Sequence, residues 1–415
     1  MYLIPIRSYK TVGRLFLVAM VATHAFFLWN MRHVMAHGDP DFTVYYTAGR
    51  MLREGQGHQL YDPRAQLATQ REFASRAQTR NNPLPYIHPP FEGLIFLPLT
   101  FLPYTTAFAL WNVLNLGFLL GTAHLLRASM ECLRLISAAD LYLAQLAFFP
   151  VFANFHQGQD AILLFLVVLF AFRAWDQGQD FAAGLWIGAG LFKYHLILPL
   201  AVVLVLWRGR KFLLGLTTTA SAAILISLAL VGWHEALLYP GFTWHILSQP
   251  LLGRIPFRQL PNLLGLMGGW SSMEYNGWLL PAAVLVCSIL LLGIAVRMGR
   301  SPANRSSARM AFAFALTSAL FVGYSTNTYD LCLLLLPMVL VIDHALRESA
   351  GSPKQRLSLI VPILPLLLSS LWFYLWMRWV HINVIAIFIF WWLYAMRKEI
   401  LRMRAGAAMP VSTLV

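Results

Sequence analysis

Residues 181–207 read FAAGLWIGAGLFKYHLILPLAVVLVLW, and this stretch decides how the chain is organised. Its 27 residues contain a single Lys or Arg, Lys193, and one proline, Pro199. A helix that spans a lipid bilayer needs about 20 apolar residues. The stretch therefore predicts either one long membrane helix or two short ones that meet at Lys193. The two alternatives differ by one crossing, so they reverse the orientation of everything that follows.

The whole chain has the composition of a membrane protein. Of its 415 residues, 59% are hydrophobic and 12% are charged, about half the ~25% charged share of soluble domains. The mean hydropathy is +0.63. These values argue against a soluble enzyme, a disordered chain and a fibrous protein. The net charge of +14 is typical of basic residues retained on the cytoplasmic side of a membrane, so we expect no nucleic acid as a partner.

Three cysteines, Cys132, Cys287 and Cys332, lie in or beside apolar stretches. Their spacing fits neither a disulfide framework nor a zinc site. The sequence contains no set of residues with metal-ligand spacing and no recognisable Ser-His-Asp arrangement. We therefore predict neither a metal nor a cofactor.

The distribution of positive charge predicts the orientation of the helices. If residues 181–207 cross twice, most of the 31 Lys and Arg residues fall in cytoplasmic segments. If they cross once, Arg208, Arg210 and Lys211 lie outside, against the usual retention of short basic loops. We therefore predict an all-α polytopic bundle of about twelve transmembrane helices, a single membrane domain over residues 1–415 with both termini cytoplasmic. The other predicted spans are 14–31, 104–126, 138–155, 159–174, 211–232, 277–297, 309–324, 328–345, 357–376 and 380–396.

Two long connections, 32–103 and 233–276, then lie on the outer face. In the first, helical spacing of Asp41, Tyr45, Ala48 and Leu52 predicts a short helix, because these positions share one helical face. Further elements are expected in the same connection. They are a second helix over 63–77, a Pro-rich turn at 85–90, and an apolar segment over 91–101 that is too short to cross and is therefore interfacial or re-entrant. Short outer turns are predicted near 155–159, 193–195, 324–329 and 377–380.

Asp41 is the first candidate for chemistry. It lies one helical turn before Tyr45 and just after the first predicted span. One interpretation is that Asp39 or Asp41 only caps a helix. The other is that Asp41 is a general base, placed where a polar acceptor meets a lipid-anchored donor.

Lys193 is the second candidate. A buried ammonium is costly in a membrane, so Lys193 either extends its side chain to nearby headgroups or forms an anion site. A phosphate on a lipid carrier is the natural anion at that depth. Pro199 supports a broken helix that lines a cavity.

Two polar clusters lie at predicted outer turns. Residues 154–160, Asn-Phe-His-Gln-Gly-Gln-Asp, either end and start helices or bind sugar hydroxyls. Residues 325–330, Ser-Thr-Asn-Thr-Tyr-Asp, either hold a helix cap at Thr328 or Asp330 or belong to a site. His88 is a lone histidine before two prolines, and is either a ligand or structural. Residues 184–188 fit a GxxxG helix contact. Because the polar clusters fall on one side of the predicted topology, we expect an outward-facing site.

Several motifs resemble one known family. They are Asp41-Phe42-x-x-Tyr45-x-x-Ala48-Gly49, Leu60-Tyr61-Asp62-Pro63, Tyr86-x-x-Pro89-Pro90-Phe91, Leu110-Trp111-x-x-x-Asn115, Gly158-Gln159 and Gly188-x-x-x-x-Lys193. In this order they resemble the GT-C glycosyltransferases of family 87, the DUF2029 group of polyprenyl-phosphate-sugar-dependent hexosyltransferases, which includes α-1,2-mannosyltransferases. The resemblance implies a GT-C-type bundle with juxtamembrane helices in the first outer loop.

The resemblance also implies a reaction in the plasma (inner) membrane. A hexose, mannose by this resemblance, would pass from a polyprenyl-phosphate-linked donor to a hydroxyl of a glycolipid or glycan acceptor, with inversion, at a site facing the periplasm or exterior. Asp41 would be the general base, and Lys193 would hold the donor phosphate. The remaining substrate-binding candidates are Tyr45, Tyr46, His88, His156, Gln159, Tyr329 and Asp330.

The main alternative is a secondary transporter or a flippase for lipid-linked sugars, which would also place polar residues at broken helices. Transporters usually show repeated halves and sites at the membrane midplane, and the sequence shows no internal repeat. The long first outer connection with short helices also favours an enzyme at the interface. A purely structural membrane protein would not need the outer polar clusters.

Overall fold

The computed structural model describes residues 6–134, 136–248, 255–271, 277–347, 353–367 and 383–408, and every regular element within them is a helix. The prediction of an all-α protein is thus confirmed for these residues. The α-helices are α1 (Ile6–Ala36), α2 (Phe42–Arg53), α3 (Pro63–Phe73), α4 (Gly93–Phe96), α5 (Tyr104–Ser129), α6 (Glu131–Arg134), α7 (Ala138–Ala147), α8 (Phe149–Gln157), α9 (Ala161–Asp176), α10 (Asp180–Ala189), α11 (Tyr194–Arg208), α12 (Arg210–Ser248), α13 (Leu263–Ser271), α14 (Leu279–Gly299), α15 (Arg305–Val322), α16 (Leu335–Arg347), α17 (Pro353–Ile360), α18 (Ile363–Leu367) and α19 (Val384–Ala408). The 3-10 helices are Gly57–Gln59, Ser75–Thr79, Pro90–Glu92, Leu97–Phe101, Gly190–Lys193, Phe257–Gln259 and Thr328–Leu334.

Among the described residues, six helical segments are long and apolar enough to cross a membrane, and the bent pair α7–α8 makes up to seven. Several spans of a membrane protein are therefore present, but the predicted count of about twelve is not confirmed. Part of the predicted span 357–376, and the predicted turn at 377–380, lie outside the described residues. The six segments are Thr11–Ala36, Tyr104–Ser129, Asp180–Arg208, Arg210–Leu247, Leu279–Gly299 and Thr328–Arg347.

The apolar stretch over residues 181–207 folds back on itself. α10 and α11 follow each other through the 3-10 turn Gly190–Lys193, and together they form one helical segment of 29 residues. A straight helix of that length would separate its ends by roughly 44 Å. However, the Asp180 carboxylate lies 3.4 Å from the Arg208 guanidinium. The chain therefore reverses between them, as predicted for Lys193. Because α10 has only 10 residues, the hairpin does not establish two full crossings.

Two glycines allow this hairpin to pack closely against α12. A Cβ atom on Gly184 would overlap the backbone carbonyl of Phe212, and one on Gly215 would overlap the carbonyl of Phe181. The two helix backbones thus approach each other at facing glycines, as is common where membrane helices pack. The predicted GxxxG contact is confirmed at its first glycine, Gly184.

The chain divides into two compact units. Unit 1 comprises Met1–His124, Ile136–Leu166 and Thr219–Ile255. Unit 2 comprises Leu125–Leu135, Val167–Thr218 and Pro256–Val415. The single membrane domain over residues 1–415 stays a prediction.

Unit 1 holds α1, α5 and the bent pair α7–α8 between two polar ends. At one end, the Arg14 guanidinium pairs with the Asp140 carboxylate at 2.7 Å. At the other end, the Gln159 side chain donates to Asp41. The pair α7–α8, which bends by 68°, begins near the first end and finishes near the second. The pair thus runs from one polar end of the unit to the other, and Asp41 and Gln159 lie at the same end, as predicted.

The first long connection is folded, as the sequence predicts. The helix expected around Asp41–Leu52 is α2, and the helix expected over 63–77 is α3, which ends earlier, at Phe73. The apolar segment Pro90–Phe101 is helical but too short to cross a membrane. Its interfacial position stays a prediction. A cluster of buried aromatic rings packs these elements against α5, and it includes Phe42, Tyr45, Tyr46, Tyr86, Phe96 and Trp111.

The second long connection begins inside α12. This helix runs to Ser248 but breaks at Gly232, whose φ of 80° is left-handed. The break coincides with the predicted end of the span 211–232. The segment beyond it packs on the first connection of unit 1, where the Tyr239 hydroxyl donates to the Ile87 carbonyl at 3.1 Å. Residues 249–254 and 272–276 of the predicted connection lie outside the described residues.

α15 is the central helix of unit 2, and most of its side chains are buried. In its first turns, Arg305 and Arg309 both contact the Asp176 carboxylate. Beyond its last turn, the chain reaches Asp330, which pairs with Lys193. Unit 2 thus also has two polar ends. The end rich in arginine corresponds to segments that the sequence predicts to be cytoplasmic.

Candidate functional site

Asp41 lies directly before α2, but its side chain does not cap that helix. Its backbone is helical (φ −61°, ψ −21°), whereas a capping residue usually has an extended backbone. Instead, Gln159 Nε2 donates to Asp41 Oδ2 at 2.7 Å. The Asp41 backbone amide donates to Gln157 Oε1 at 3.1 Å. The hypothesis that the Asp41 side chain serves only as an N-cap is therefore wrong.

The turn before Asp41 is fastened to the segment after α3. The Asp39 carboxylate, the other predicted cap, pairs with Arg80 at 2.9 Å and with Arg76 at 3.3 Å. Gly38 has a left-handed φ of 88°, and a Cβ atom there would overlap Ala74. Asp39 is thus used to anchor the turn, which fixes the start of α2 and the position of Asp41.

Gln159 is itself held in one orientation. Its Oε1 accepts a hydrogen bond from the Tyr45 hydroxyl at 2.6 Å. The opposite amide nitrogen therefore faces Asp41, whose carboxylate can only accept. The Gln159 backbone carbonyl accepts from Trp111 Nε1 at 3.3 Å and from Asn115 Nδ2 at 3.4 Å. We call Tyr45, Gln159 and Asp41, joined in this way, the tyrosine–glutamine relay.

Gly158 allows the relay to form. It ends α8 in the left-handed conformation, with φ 61°. A Cβ atom at this position would lie 2.5 Å from the Phe108 ring and 2.7 Å from Phe42. Only glycine combines this backbone with this close packing, and the turn directs Gln159 towards Asp41.

The structure places both tyrosines of α2 in the interior of unit 1. The Tyr45 ring stacks on Phe96, with centroids 4.5 Å apart. The Tyr46 hydroxyl donates to the Leu102 carbonyl at 2.7 Å, and burial raises the pKa of this phenol. Both hydroxyls therefore contribute to internal contacts, and their predicted contact with a substrate stays a prediction.

His88 has a carboxylate partner that the sequence analysis missed. Its Nδ1 lies 3.1 Å from Oε2 of Glu92, which is fully buried. The Tyr86 hydroxyl is 3.3 Å from the same oxygen, and burial, followed by the nearby Glu92, raises the pKa of Tyr86 well above its usual value. Tyr86 thus stays a neutral donor. The spacing of His88 and Glu92 around Pro89-Pro90 was the available signal.

His156 is connected to Asp41 through a neighbouring side chain. Its Nδ1 lies 3.2 Å from Gln157 Nε2, and Gln157 Oε1 accepts from the Asp41 amide. The imidazole is near-parallel to the Phe152 ring at 6.3 Å. Gln157 belongs to the predicted polar cluster 154–160 but was not singled out within it, and it joins two candidates that were, His156 and Asp41.

Lys193 forms a buried ion pair in unit 2. Its Nζ lies 3.1 Å from Asp330 Oδ1, and the two side chains are only 2% and 1% exposed. The ammonium also lies 5.0 Å from the centre of the Tyr329 ring. The alternative in which Lys193 extends to the membrane headgroups is therefore wrong in this state. The attraction between the Lys193 ammonium and the Asp330 carboxylate offsets the free-energy cost of removing both charges from water.

Asp330 has two functions in the turn that precedes α16. Its Oδ2 accepts from the Asn327 backbone amide at 2.8 Å, so the capping role that the sequence left open for Asp330 is present. Its other oxygen contacts Lys193. The turn also brings Tyr324 to the hairpin, where its hydroxyl lies 3.1 Å from that of Tyr194.

The candidates thus form two groups. Unit 1 contains Asp41, Tyr45, Tyr46, His88, His156 and Gln159, whereas unit 2 contains Lys193, Tyr329 and Asp330. Within unit 1, Tyr45 links two of them, because its hydroxyl contacts Gln159 and its ring packs edge-on against His88 at 5.2 Å. In the part of the chain that the structure describes, no group of three or more His, Cys, Asp or Glu residues could hold a metal ion.

A comparison with protein families identifies the chain. The model of glycosyltransferase family 87 matches residues 86–337, which is more than half of the chain. The match includes the candidates from His88 to Asp330, whereas Asp41, Tyr45 and Tyr46 precede it. Searches of curated proteins and of solved structures each found no match. Because the family match extends through both described units, the chain belongs to glycosyltransferase family 87.

Proposed function

We propose that this membrane glycosyltransferase moves a hexose, with mannose as the first sugar to test, from a polyprenyl-phosphate donor to a hydroxyl of a glycolipid or glycan acceptor. Family membership supports glycosyl transfer, and the apolar helices support a membrane-embedded site. The observation that carries the assignment of the base is the hydrogen bond from Gln159 to Asp41. It shows a carboxylate held in place by a neutral donor.

Asp41 is the proposed general base. The acceptor hydroxyl gives its proton to the Asp41 carboxylate while its oxygen forms a bond to the anomeric carbon. The bond from that carbon to the phosphate oxygen breaks on the opposite side, so polyprenyl phosphate leaves and the configuration inverts. A hydrogen bond from a neutral amide orients a carboxylate and leaves its charge in place, which suits this role.

Lys193 is the proposed contact of the donor phosphate. An ammonium has three N–H donors, and Asp330 accepts from Lys193 through one oxygen. We propose that Asp330 positions the ammonium and that a phosphate oxygen takes another donor. Positive charge that faces the leaving group stabilises the transition state by several kcal/mol in a site poor in water. Tyr329 and Asp330 are then neighbours of the phosphate, and Tyr46, His156 and Gln159 are neighbours of the sugar or acceptor.

The site is proposed to face the exterior of the plasma (inner) membrane, with both termini cytoplasmic and about twelve crossings. The test is cysteine labelling in a variant without native cysteines. Gln56→Cys lies in the first connection, and Ala303→Cys lies two residues before Arg305. An impermeant maleimide should label only the first in intact cells. Labelling of both positions from outside would overturn this topology.

The deciding experiment for the function uses purified protein. It is incubated with a panel of polyprenyl-phosphate sugars and extracted membrane glycolipids, and the products are identified by mass. We expect the mass of one glycolipid to increase by one hexose, and we expect this with only one of the donors in the panel. A secondary transporter or flippase would instead move a lipid-linked sugar between leaflets of a vesicle without forming a product. Movement without transfer would therefore replace our proposal by that alternative.

A further inference from the structure

Besides Asp41, the neighbourhood of Tyr45 contains a pair formed by a histidine and a carboxylate. His88 and Glu92 lie on either side of the dipeptide Pro89-Pro90, whose rings restrict the backbone. This rigid turn brings Nδ1 of His88 to 3.1 Å from Oε2 of Glu92. A further anchor is the hydrogen bond from the Tyr61 hydroxyl to the His88 carbonyl at 2.8 Å. The position of the imidazole is thus determined by both its backbone and its side-chain contacts.

The burial of Glu92 requires a proton donor beside it. Its side chain has no exposed surface, and ionised carboxylates are costly to bury unless donors or cations compensate them. The Tyr86 hydroxyl lies 3.3 Å from Oε2 of Glu92, but its single proton also has the Pro89 carbonyl at 2.8 Å, so it compensates Glu92 only in part. An ionised Glu92 can only accept, so its 3.1 Å contact with Nδ1 is a hydrogen bond in the tautomer of His88 that carries a proton on Nδ1. Glu92 therefore fixes which nitrogen of His88 carries this proton.

The imidazole also has an accessible side. The His88 side chain is 19% exposed, so the contact of Nδ1 with Glu92 does not bury the whole imidazole. The ring contacts Tyr45 at 5.2 Å, and the Tyr45 hydroxyl leads through Gln159 to Asp41. His88 is thus a partly exposed group that shares a neighbour with the proposed base.

We propose that Glu92 is a positioning residue, which holds His88 so that its Nε2 hydrogen-bonds a hydroxyl of the transferred sugar. The proposal rests on the proposed function, because it needs a sugar beside Asp41. A hydroxyl both donates and accepts, so it fits Nε2 whether or not that nitrogen is protonated. Carboxylates fix the tautomer and orientation of histidines in the same way in metal sites and catalytic triads.

The positioning by Glu92 can be tested without measuring activity. Purified protein labelled with ¹⁵N-histidine gives a His88 signal that is assigned by its loss in His88→Asn. We expect a protonated Nδ1 in the wild-type protein and a mixture of tautomers in Glu92→Leu. The matched control is Glu54→Gln, because Glu54 is a carboxylate of the same unit that pairs with Arg50 at 2.8 Å. An unchanged His88 tautomer in Glu92→Leu would overturn the positioning role.

The contact with a sugar hydroxyl is tested by kinetics with modified donors. The probes are polyprenyl-phosphate mannose and its four analogues that each lack one hydroxyl. We expect His88→Asn and Glu92→Leu to lower kcat/KM for the complete donor about tenfold, the usual effect of one lost hydrogen bond to a polar partner. The wild-type enzyme should have a lower kcat/KM for the analogue that lacks the hydroxyl bound by His88 than for the complete donor. In both variants, kcat/KM for this analogue and for the complete donor should be nearly equal. A merely structural role would lower the rates for all donors equally, and that result would overturn the sugar contact.

The failure of this inference and the failure of the proposed function are distinguishable. If the purified protein forms no glycosylated product with any donor of the panel, the proposed function fails, and the tautomer measurement still decides whether Glu92 positions His88. If Asp41→Asn is inactive and no analogue depends on His88, only the sugar contact fails. Should Glu92→Leu not fold, Glu92→Asp keeps the charge but withdraws the carboxylate, and it should show the same mixture of tautomers and the same loss of discrimination.

Discussion

The two units hold their principal charged groups in different ways. In unit 1, Oδ2 of Asp41 accepts from a neutral amide, that of Gln159. In unit 2, the ammonium of Lys193 donates to an opposite charge, the carboxylate of Asp330. A neutral donor orients a charge and preserves it, whereas an ion pair compensates the charges of both partners. Under the proposed function, the Asp41 carboxylate would be oriented before substrate binds, whereas Lys193 would share its donors between Asp330 and the donor phosphate.

The largest effect is expected for Asp41→Asn. Asparagine has nearly the same shape but does not take up a proton, so transfer should fall about 10²- to 10⁴-fold, the usual contribution of a general base. Product formation by purified protein measures this loss. The melting temperature should stay close to that of the wild-type enzyme.

The matched control for this change is Asp62→Asn. Asp62 caps α3 by accepting from the Arg64 amide at 2.9 Å, and asparagine is an equally good cap. This variant removes a carboxylate of the same connection and should keep full activity. Equal activity of Asp41→Asn and Asp62→Asn would exclude Asp41 as the base.

The second effect concerns the ion pair of unit 2. Lys193→Met leaves the buried Asp330 without its cation and should reduce the free energy of unfolding by about 3–5 kcal/mol. The double variant Lys193→Met/Asp330→Asn removes both charges and keeps an acceptor for the Asn327 amide, so most of the lost stability should return. Thermal unfolding in detergent measures both values.

Activity of the double variant then distinguishes the two interpretations of Lys193. If Lys193 contacts the donor phosphate, the double variant should regain stability but need a much higher donor concentration for the same rate. If the pair only holds the hairpin against the turn at Asp330, stability and activity should return together. The second result would remove Lys193 from the proposed reaction.

A third, smaller effect is expected for the tyrosine–glutamine relay. Gln159→Leu removes the donor to Asp41, and we expect kcat to fall about tenfold with little change in KM, because orientation of the base is lost but binding is kept. Tyr45→Phe should lower kcat by a few-fold, since it removes only the bond that orients Gln159. The control is Tyr142→Phe, whose hydroxyl contacts only the Leu116 carbonyl among its described hydrogen bonds, at 3.4 Å. Equal kinetics in all three variants would contradict the relay.

The smallest effect is a pH dependence of stability in unit 2. Burial alone would raise the pKa of Glu399, but hydrogen bonds from His344 and Arg402 lower it to about 2. A lowered pKa stabilises the folded protein above the usual value of 4.5, and this stabilisation is lost as the pH falls from there towards 2. The wild-type melting temperature should therefore fall more between pH 5 and pH 3 than that of Glu399→Gln. Glu235→Gln serves as the control, and an equal slope for Glu399→Gln and the wild type would contradict this role.

Local sequence patterns predicted those features that depend on neighbours along the chain. The helices α2 and α3, the reversal at Lys193 and the cap in the turn at Asp330 each follow from helical spacing, charge or turn-forming residues. The predicted end of α3 at residue 77 was wrong, because the chain turns into a 3-10 segment after Phe73. Of the two interpretations that the sequence left open for Asp41, a cap on α2 by its side chain is the one that the structure contradicts. A side chain distant in sequence, that of Gln159, donates to the Asp41 carboxylate. The spacing of residues along the chain does not predict such a partner.

The sequence by itself determined that this is a helical membrane protein and which ends of its helices carry polar residues. Composition, the length of apolar runs and the placement of arginine can each be read from neighbouring residues along the chain. It also provided the motifs that resemble the family to which the chain belongs. Only the tertiary structure decided the partners: Gln159 for Asp41, Asp330 for Lys193 and Glu92 for His88. The physical reason is that a buried polar group must find its donor or acceptor in three dimensions, and residues more than a hundred positions away can provide it.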